Sequence, residues 1–221
     1  IGGADCVICQ TGFTGEKGYE IYVRDAHENA EKMWNAVLEA GEEFGLMVIA
    51  PAHHRRIAAG ILSWGQDLDH ETSPFQVNLS YQVPRNKEAD YIGKEALEKQ
   101  RAIIDEGNAP FKMKMVGLIF GGKEITDYAP DFWLINDTDG NEMGFISSPW
   151  WSPELGTNIA LGWVPWESSA IGTKLQVMLP DEYADSSGAP VDGEIVDIPF
   201  RESVNPNKRE VQKAKGLDFA D

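Results

Sequence analysis

The sequence predicts an α+β protein in two parts, mixed strands and helices first and a small all-β structure after. Three observations predict it. Over residues 1–105, short β-prone runs alternate with stretches whose apolar residues recur at helical spacing. The Gly107-Asn-Ala-Pro110 stretch that follows breaks regular structure and reads as a linker. Between residues 111 and 200, six short β-type runs separated by turn signals indicate a small antiparallel barrel or sandwich.

The elements follow in order. Residues 5–10 read as a strand, residues 11–18 as a glycine-punctuated loop, and residues 19–23 as a second strand with alternating polarity. Asp25 is placed to cap the next helix with its side chain. Ala30, Met33, Trp34, Val37, Leu38 and Phe44 give that helix one apolar stripe, and Gly45 ends it. Residues 46–50 are expected as a buried strand, and Pro51 opens a short helix through residue 59. Residues 60–84 are irregular, and a helix covers 93–105. The β-type runs are 112–120, 132–135, 142–148, 158–164, 174–178 and 193–198, and the charged stretch from 201 reads as an extended tail.

The formal net charge of -17 over 221 residues disfavours nucleic acid and anionic membranes as partners. No apolar run approaches the roughly 20 residues of a membrane span. The start, Ile1-Gly-Gly-Ala-Asp5, has no Met, no basic segment and no apolar segment, so it is not read as a signal peptide. The chain is instead expected to be the C-terminal part of a longer protein. Cys6 and Cys9 form a lone C-x-x-C in an apolar run, which points to buried structural thiols rather than metal or redox chemistry. The absence of a disulfide framework favours the cytoplasm.

Four segments carry a family resemblance. Thr11-Gly-Phe-Thr-Gly-Glu-Lys-Gly-Tyr-Glu-Ile21 is close to T-G-Y-T-G-E-x-G-x-E-I. The stretch from Arg56 through Gly60 and Gly65 to Asp67 is similar to R-L-E-A-G-x-x-L-Y-G-x-D, and Asp90-Tyr-Ile-Gly-Lys-Glu-Ala-Leu97 to D-F-I-G-K-E-A-L. Gly144-Phe-Ile-Ser-Ser148, with Ser152-Pro153 and Asn158-Ile-Ala-Leu-Gly-Trp-Val164, is similar to G-x-V-T-S-G-x-x-S-P-x-L-x-x-x-I-A-L-G-Y-V. In this order they resemble the tetrahydrofolate-dependent aminomethyltransferases, the glycine cleavage T proteins and their relatives. The resemblance implies an α+β protein made of the C-terminal part of a folate-binding aminomethyltransferase domain, over 1–84, then a linking helix over 85–110. A small antiparallel β-barrel over 111–200 and a tail over 201–221 complete the expected order.

The resemblance also implies a site. Gly12, Gly15 and Gly18, with the earlier Gly3, let backbone approach a flat ligand. A carboxylate fixed at the head of a strand, Glu20, has the geometry to accept two hydrogen bonds from an amino-pyrimidine edge. In the family that Glu holds the pterin of tetrahydrofolate. Tyr22 falls on the same strand face. The T proteins carry two arginines in the second segment. Here Arg56 matches the second, but Ala52 stands at the first. Arg55 and Arg56 are the local cations expected for an anionic glutamate tail. Trp64 replaces a family Tyr in a loop expected to face the ligand, and Trp150 and Trp151 are expected at a domain interface.

A rival reading, a divalent metal on Asp67-Leu-Asp-His-Glu71 with His53 and His54, is not supported by ligand spacing, and no metal is assigned. The function implied is transfer of a one-carbon unit from a small methyl or aminomethyl donor to N5 of tetrahydrofolate. The Ala52 departure points toward the demethylase-like branch, such as dimethylsulfoniopropionate demethylase, rather than glycine cleavage. Glycine cleavage aminomethyl transfer is one alternative, and a non-catalytic folate-binding module, or the C-terminal part of a flavin-dependent dimethylglycine or sarcosine dehydrogenase, is the other. The missing N-terminal half of the same protein is expected as partner. General acid, base and nucleophile are unassigned, and the chain alone is expected to be incomplete as an enzyme.

Overall fold

The computed structural model describes residues 1–50, 52–85, 87–185 and 189–201, so all but Arg201 of the expected tail lies outside the described residues. The chain forms two compact units, Ile1–His53 and His54–Asp221.

In the first unit, β1 (Cys6–Cys9) pairs antiparallel with β2 (Glu20–Val23), with Cys9 opposite Glu20 and Val7 opposite Tyr22. The alternating polarity of the second strand thus sets Glu20 and Tyr22 on one face. Helix α1 (Ala26–Gly41) forms as its apolar periodicity requires. Its start differs from expectation. Asp25 is left-handed, with φ 47°, and makes no side-chain cap. Its carbonyl accepts from the amides of Glu28 (2.9 Å) and Asn29 (3.1 Å) instead. Gly45, at φ 71°, closes the 3-10 turn Glu42–Phe44 as its lack of a Cβ allows. Two further expectations are corrected. Residues 46–50 form no strand, and Leu46, Met47, Val48 and Ile49 are exposed, because among the described residues no strand pairs with them. Cys6 and Cys9 are half-buried rather than core residues, since the two-stranded ribbon covers one face at most.

In the second unit, α2 (His53–Ala58) and the irregular stretch after it lead to α3 (Lys94–Asp105). Six antiparallel strands then close into a barrel. They are β3 (Met113–Phe120), β4 (Trp133–Asn136), β5 (Glu142–Ser152), β6 (Thr157–Pro165), β7 (Lys174–Val177) and β8 (Val191–Val196), in the order β3-β6-β5-β4-β7-β8. Closure leaves no unpaired edge. Leu118, Ile135, Ile146, Ala160, Val164, Leu175 and Ile195 fill the interior. The outside of β3 and β6 is covered as well, because Met115, Ile159, Leu161 and Trp163 pack with Ile57 and Ala58 of α2 and with Val77 and Phe200. Burial on both faces explains why β6 reads as a continuous apolar run rather than an alternation. Gly144 sits against β6, for a Cβ there would lie 2.0 Å from the Trp163 carbonyl oxygen.

Candidate functional site

Thr11, Glu20 and Tyr22 meet at the mouth of the glycine-punctuated loop. Thr11 Oγ1 donates a very close hydrogen bond to Glu20 Oε2. The Tyr22 hydroxyl donates to the same oxygen at 3.3 Å, as the shared strand face allows. Among the described residues, Oε1 is therefore the oxygen left to accept from a ligand. The carboxylate is half-buried and Tyr22 is exposed. The negative charge of Glu20, then the hydrogen bond to it, push the Tyr22 hydroxyl above its ordinary value, so it stays protonated and keeps donating. Phe13 and Tyr19 expose their rings on the same loop. The arrangement is a surface carboxylate whose direction is fixed by two donors, suited to a planar ligand edge that offers N–H groups.

A second polar cluster lies inside the barrel unit, and it corrects the expectation for Arg56. Its side chain is 1% exposed and faces inward, where Nη1 meets Asp67 Oδ2 at 2.6 Å. Nη1 also donates to the Ile61 carbonyl at 3.2 Å, and Nη2 donates to Ser148 Oγ at 2.8 Å. Asp67 accepts further from the Ser63 amide at 2.8 Å and from the hydroxyls of Ser147 and Ser148, each at 2.6 Å. Neighbours on a regular strand point to opposite faces. Here the β5–β6 register shifts between Ile146 and Ser148, and that bulge aims both serines at one carboxylate. A buried charge is tolerated only when paired and hydrogen-bonded. Both charges of this pair are, so the cluster clamps α2, the 61–68 turn and β5 together.

The other expected residues fall around this clamp. Arg55 is exposed on α2 beside His54, whose imidazole burial, then the neighbouring Arg55 charge, holds below its ordinary value and hence neutral near pH 7. Trp64 is 60% exposed, its ring edge-on to His70 at 4.8 Å. Gly65, at φ 81°, makes the tight return that lets its amide donate to the Leu68 carbonyl at 2.9 Å. Trp150 lies half-buried against the outer apolar cluster of the barrel. The acidic run does not converge. Asp67 is spent on Arg56, while Asp69 accepts from the amide of Glu71 at 2.9 Å and from Thr72 Oγ1 at 3.1 Å in a local turn. Sequence reading missed Thr11, Asp67, Ser147 and Ser148 as members of these clusters. The signal available for the last two was the pair of adjacent serines in an otherwise apolar strand.

A glycine-punctuated loop leading to a strand-borne carboxylate, followed in the chain by a closed six-stranded barrel, defines a protein built like the aminomethyltransferases. The solved structure of the glycine cleavage system aminomethyltransferase T from Bartonella henselae shares the fold, with TM-score 0.66 at 24% identity over 88% of this chain and 49% of that one. The models for the GCVT N-terminal domain and the glycine cleavage T-protein C-terminal barrel domain match residues 1–87 and 111–200. The chain belongs to the glycine cleavage T-protein family. An aminomethyltransferase from Geobacillus sp. (strain WCH70) is 34% identical over 80% of this chain and 46% of its own length. The dimethylsulfoniopropionate demethylase of Ruegeria pomeroyi is 34% identical over 81% of this chain and 46% of its own. The chain thus spans about half the length of the curated relatives it matches. Among the described residues no helix is long and apolar enough to cross a membrane.

Proposed function

We propose that this chain is the folate-binding C-terminal part of a tetrahydrofolate-dependent enzyme that moves a one-carbon unit from a small substrate to N5 of tetrahydrofolate. The observation that carries the reading is the Glu20 carboxylate, held by Thr11 and Tyr22 with Oε1 open. That oxygen, with the loop glycines beside it, fits the amino-pyrimidine edge of a pterin. Tetrahydrofolate would supply the N5 amine that accepts the carbon. Glu20 would fix the ring, and Tyr22 would keep the carboxylate aimed. Positioning of this kind is the main thing such a transfer requires. Arg56 is given to the internal clamp of the barrel unit.

In this reading residues 1–84 belong to the folate-binding domain, 85–110 link it to the barrel over 111–200, and a further N-terminal half of the same protein completes the site. The two free thiols suit a reducing compartment such as the cytoplasm. Within the class we favour demethylation over glycine cleavage, because Ala52 stands where the T proteins have their first arginine. The natural polypeptide carrying this chain, given tetrahydrofolate and a methylated onium donor, should yield folate carrying a methyl group on N5. A methylene bridge between N5 and N10, formed only with the aminomethyl donor of glycine cleavage, would reverse the choice. Turnover without folate would remove the reading altogether.

A further inference from the structure

Between the irregular stretch that reaches Pro84 and the start of α3 lies a cavity of about 290 Å³. Pro74, Leu79, Val83, Pro84 and Leu97 give it apolar walls. Its volume falls just under the range usual for drug-sized ligands, so it suits a smaller molecule. Two of its lining residues, Tyr91 and Leu97, belong to the Asp90–Leu97 segment. Neither the Glu20 cluster nor the Arg56–Asp67 clamp uses that segment.

Polar contacts fix the frame of the cavity and occupy the cations around it. Arg101 donates to the Val83 carbonyl and lies over the Phe75 ring at 5.0 Å, which ties Val83 to α3. Arg85 meets both carboxylate oxygens of Asp105, at 2.7 and 2.9 Å. Lys94 Nζ donates to the carbonyls of Lys87 and Glu88 at 2.9 and 3.3 Å and stands 4.0 Å from Glu98. Lys87 is different. Its ammonium sits 5.1 Å from the centre of the Tyr91 ring, and no carboxylate among the described residues pairs with it. Lys87 is also the one charged residue of the described lining. Gln82 is neutral and donates to the Tyr81 hydroxyl at 3.3 Å.

We infer that this cavity binds a short-chain monocarboxylate, with its hydrocarbon body on the apolar walls and its carboxylate on Lys87. Burying the hydrocarbon supplies affinity without direction. The charged hydrogen bond to Lys87 supplies the choice of head group. A primary ammonium would meet repulsion there, and a neutral alcohol would gain the walls alone. A multiply charged anion would bring a second charge that the lining leaves unpaired, on a chain of net charge -17. The inference goes beyond the folate reading and does not rest on it, since every lining residue lies in the unit that excludes Glu20.

The test uses the natural polypeptide carrying this chain, methyl-labelled and titrated with hexanoate, 1-hexanol and hexylammonium. Hexanoate should saturate, move the methyl signals of Leu79, Val83 and Leu97, and bind more tightly than either control. Added salt should weaken hexanoate and leave 1-hexanol unchanged. Lys87→Met should weaken hexanoate about two- to fivefold, while Lys87→Arg keeps it. Lys87 is exposed, so neither variant threatens the fold. Equal binding of 1-hexanol, indifference to Lys87→Met, or no saturation would each overturn the inference. Displacement of hexanoate by tetrahydrofolate would overturn it too, by making the cavity part of the folate site. Failure of wild type to bind tetrahydrofolate would remove the folate reading and leave this one standing.

Discussion

The two units of this chain spend their apolar residues in opposite ways. In His54–Asp221 the barrel strands β3 and β6 bury both their faces, and Ile135, Ile159, Leu161 and Val164 are wholly inside. In Ile1–His53 the helix α1 has no buried residue, and Ala4 is the one buried residue among those described. Trp34, Phe44, Met47 and Ile49 all show large apolar area. Secondary structure forms in both because propensity and periodicity are local. A core needs a second layer, and only the closed barrel supplies its own. The polar residues follow the same division. The Arg56–Asp67 pair is sealed and serves packing, whereas Glu20 and Tyr22 stand at the surface where a ligand can reach them.

The largest expected effect is at the clamp. Asp67→Ala leaves the Arg56 guanidinium buried without its counter-charge and should cost about 3–5 kcal/mol in urea unfolding. A cost below ~1 kcal/mol would mean the guanidinium finds water or another partner, and that the clamp is not what joins α2 to β5. Next comes the contrast between units. Leu161→Ala removes a fully buried side chain and should cost about 2–5 kcal/mol, while Val48→Ala, at 63% exposure, should stay within about 0.5 kcal/mol. Equal costs would erase the distinction.

The smallest effect sharpens the surface side of the comparison. The Tyr22 hydroxyl is raised because the Glu20 carboxylate disfavours a second negative charge beside it. In Glu20→Gln that charge is gone, so Tyr22 should ionise at lower pH than in wild type. Ultraviolet titration reads the direction, and an unmoved or upward shift would separate the two groups.

Much of this was legible in the sequence. The barrel strands and α3 were placed to within a few residues, because turn signals and helical periodicity are local. Glu20 and Tyr22 were placed on one face by the strand period alone. What could not be read was non-local. Arg56 looks like a surface cation until Asp67, eleven residues on, and Ser148, ninety-two residues on, turn out to receive it. The bulge that turns Ser147 and Ser148 together has no local signature strong enough to predict. Residues 46–50 carry every mark of a buried strand, yet a strand needs a partner, and the described chain gives them none.

The central claim is that Glu20 holds the pterin of tetrahydrofolate. Calorimetric titration of the natural polypeptide carrying this chain, wild type against Glu20→Ala, tests it most directly. Loss of one charged anchor should cost about 1.5–3 kcal/mol, a roughly ten- to hundredfold weaker affinity with the fold intact. Equal affinity in the two proteins would contradict the account.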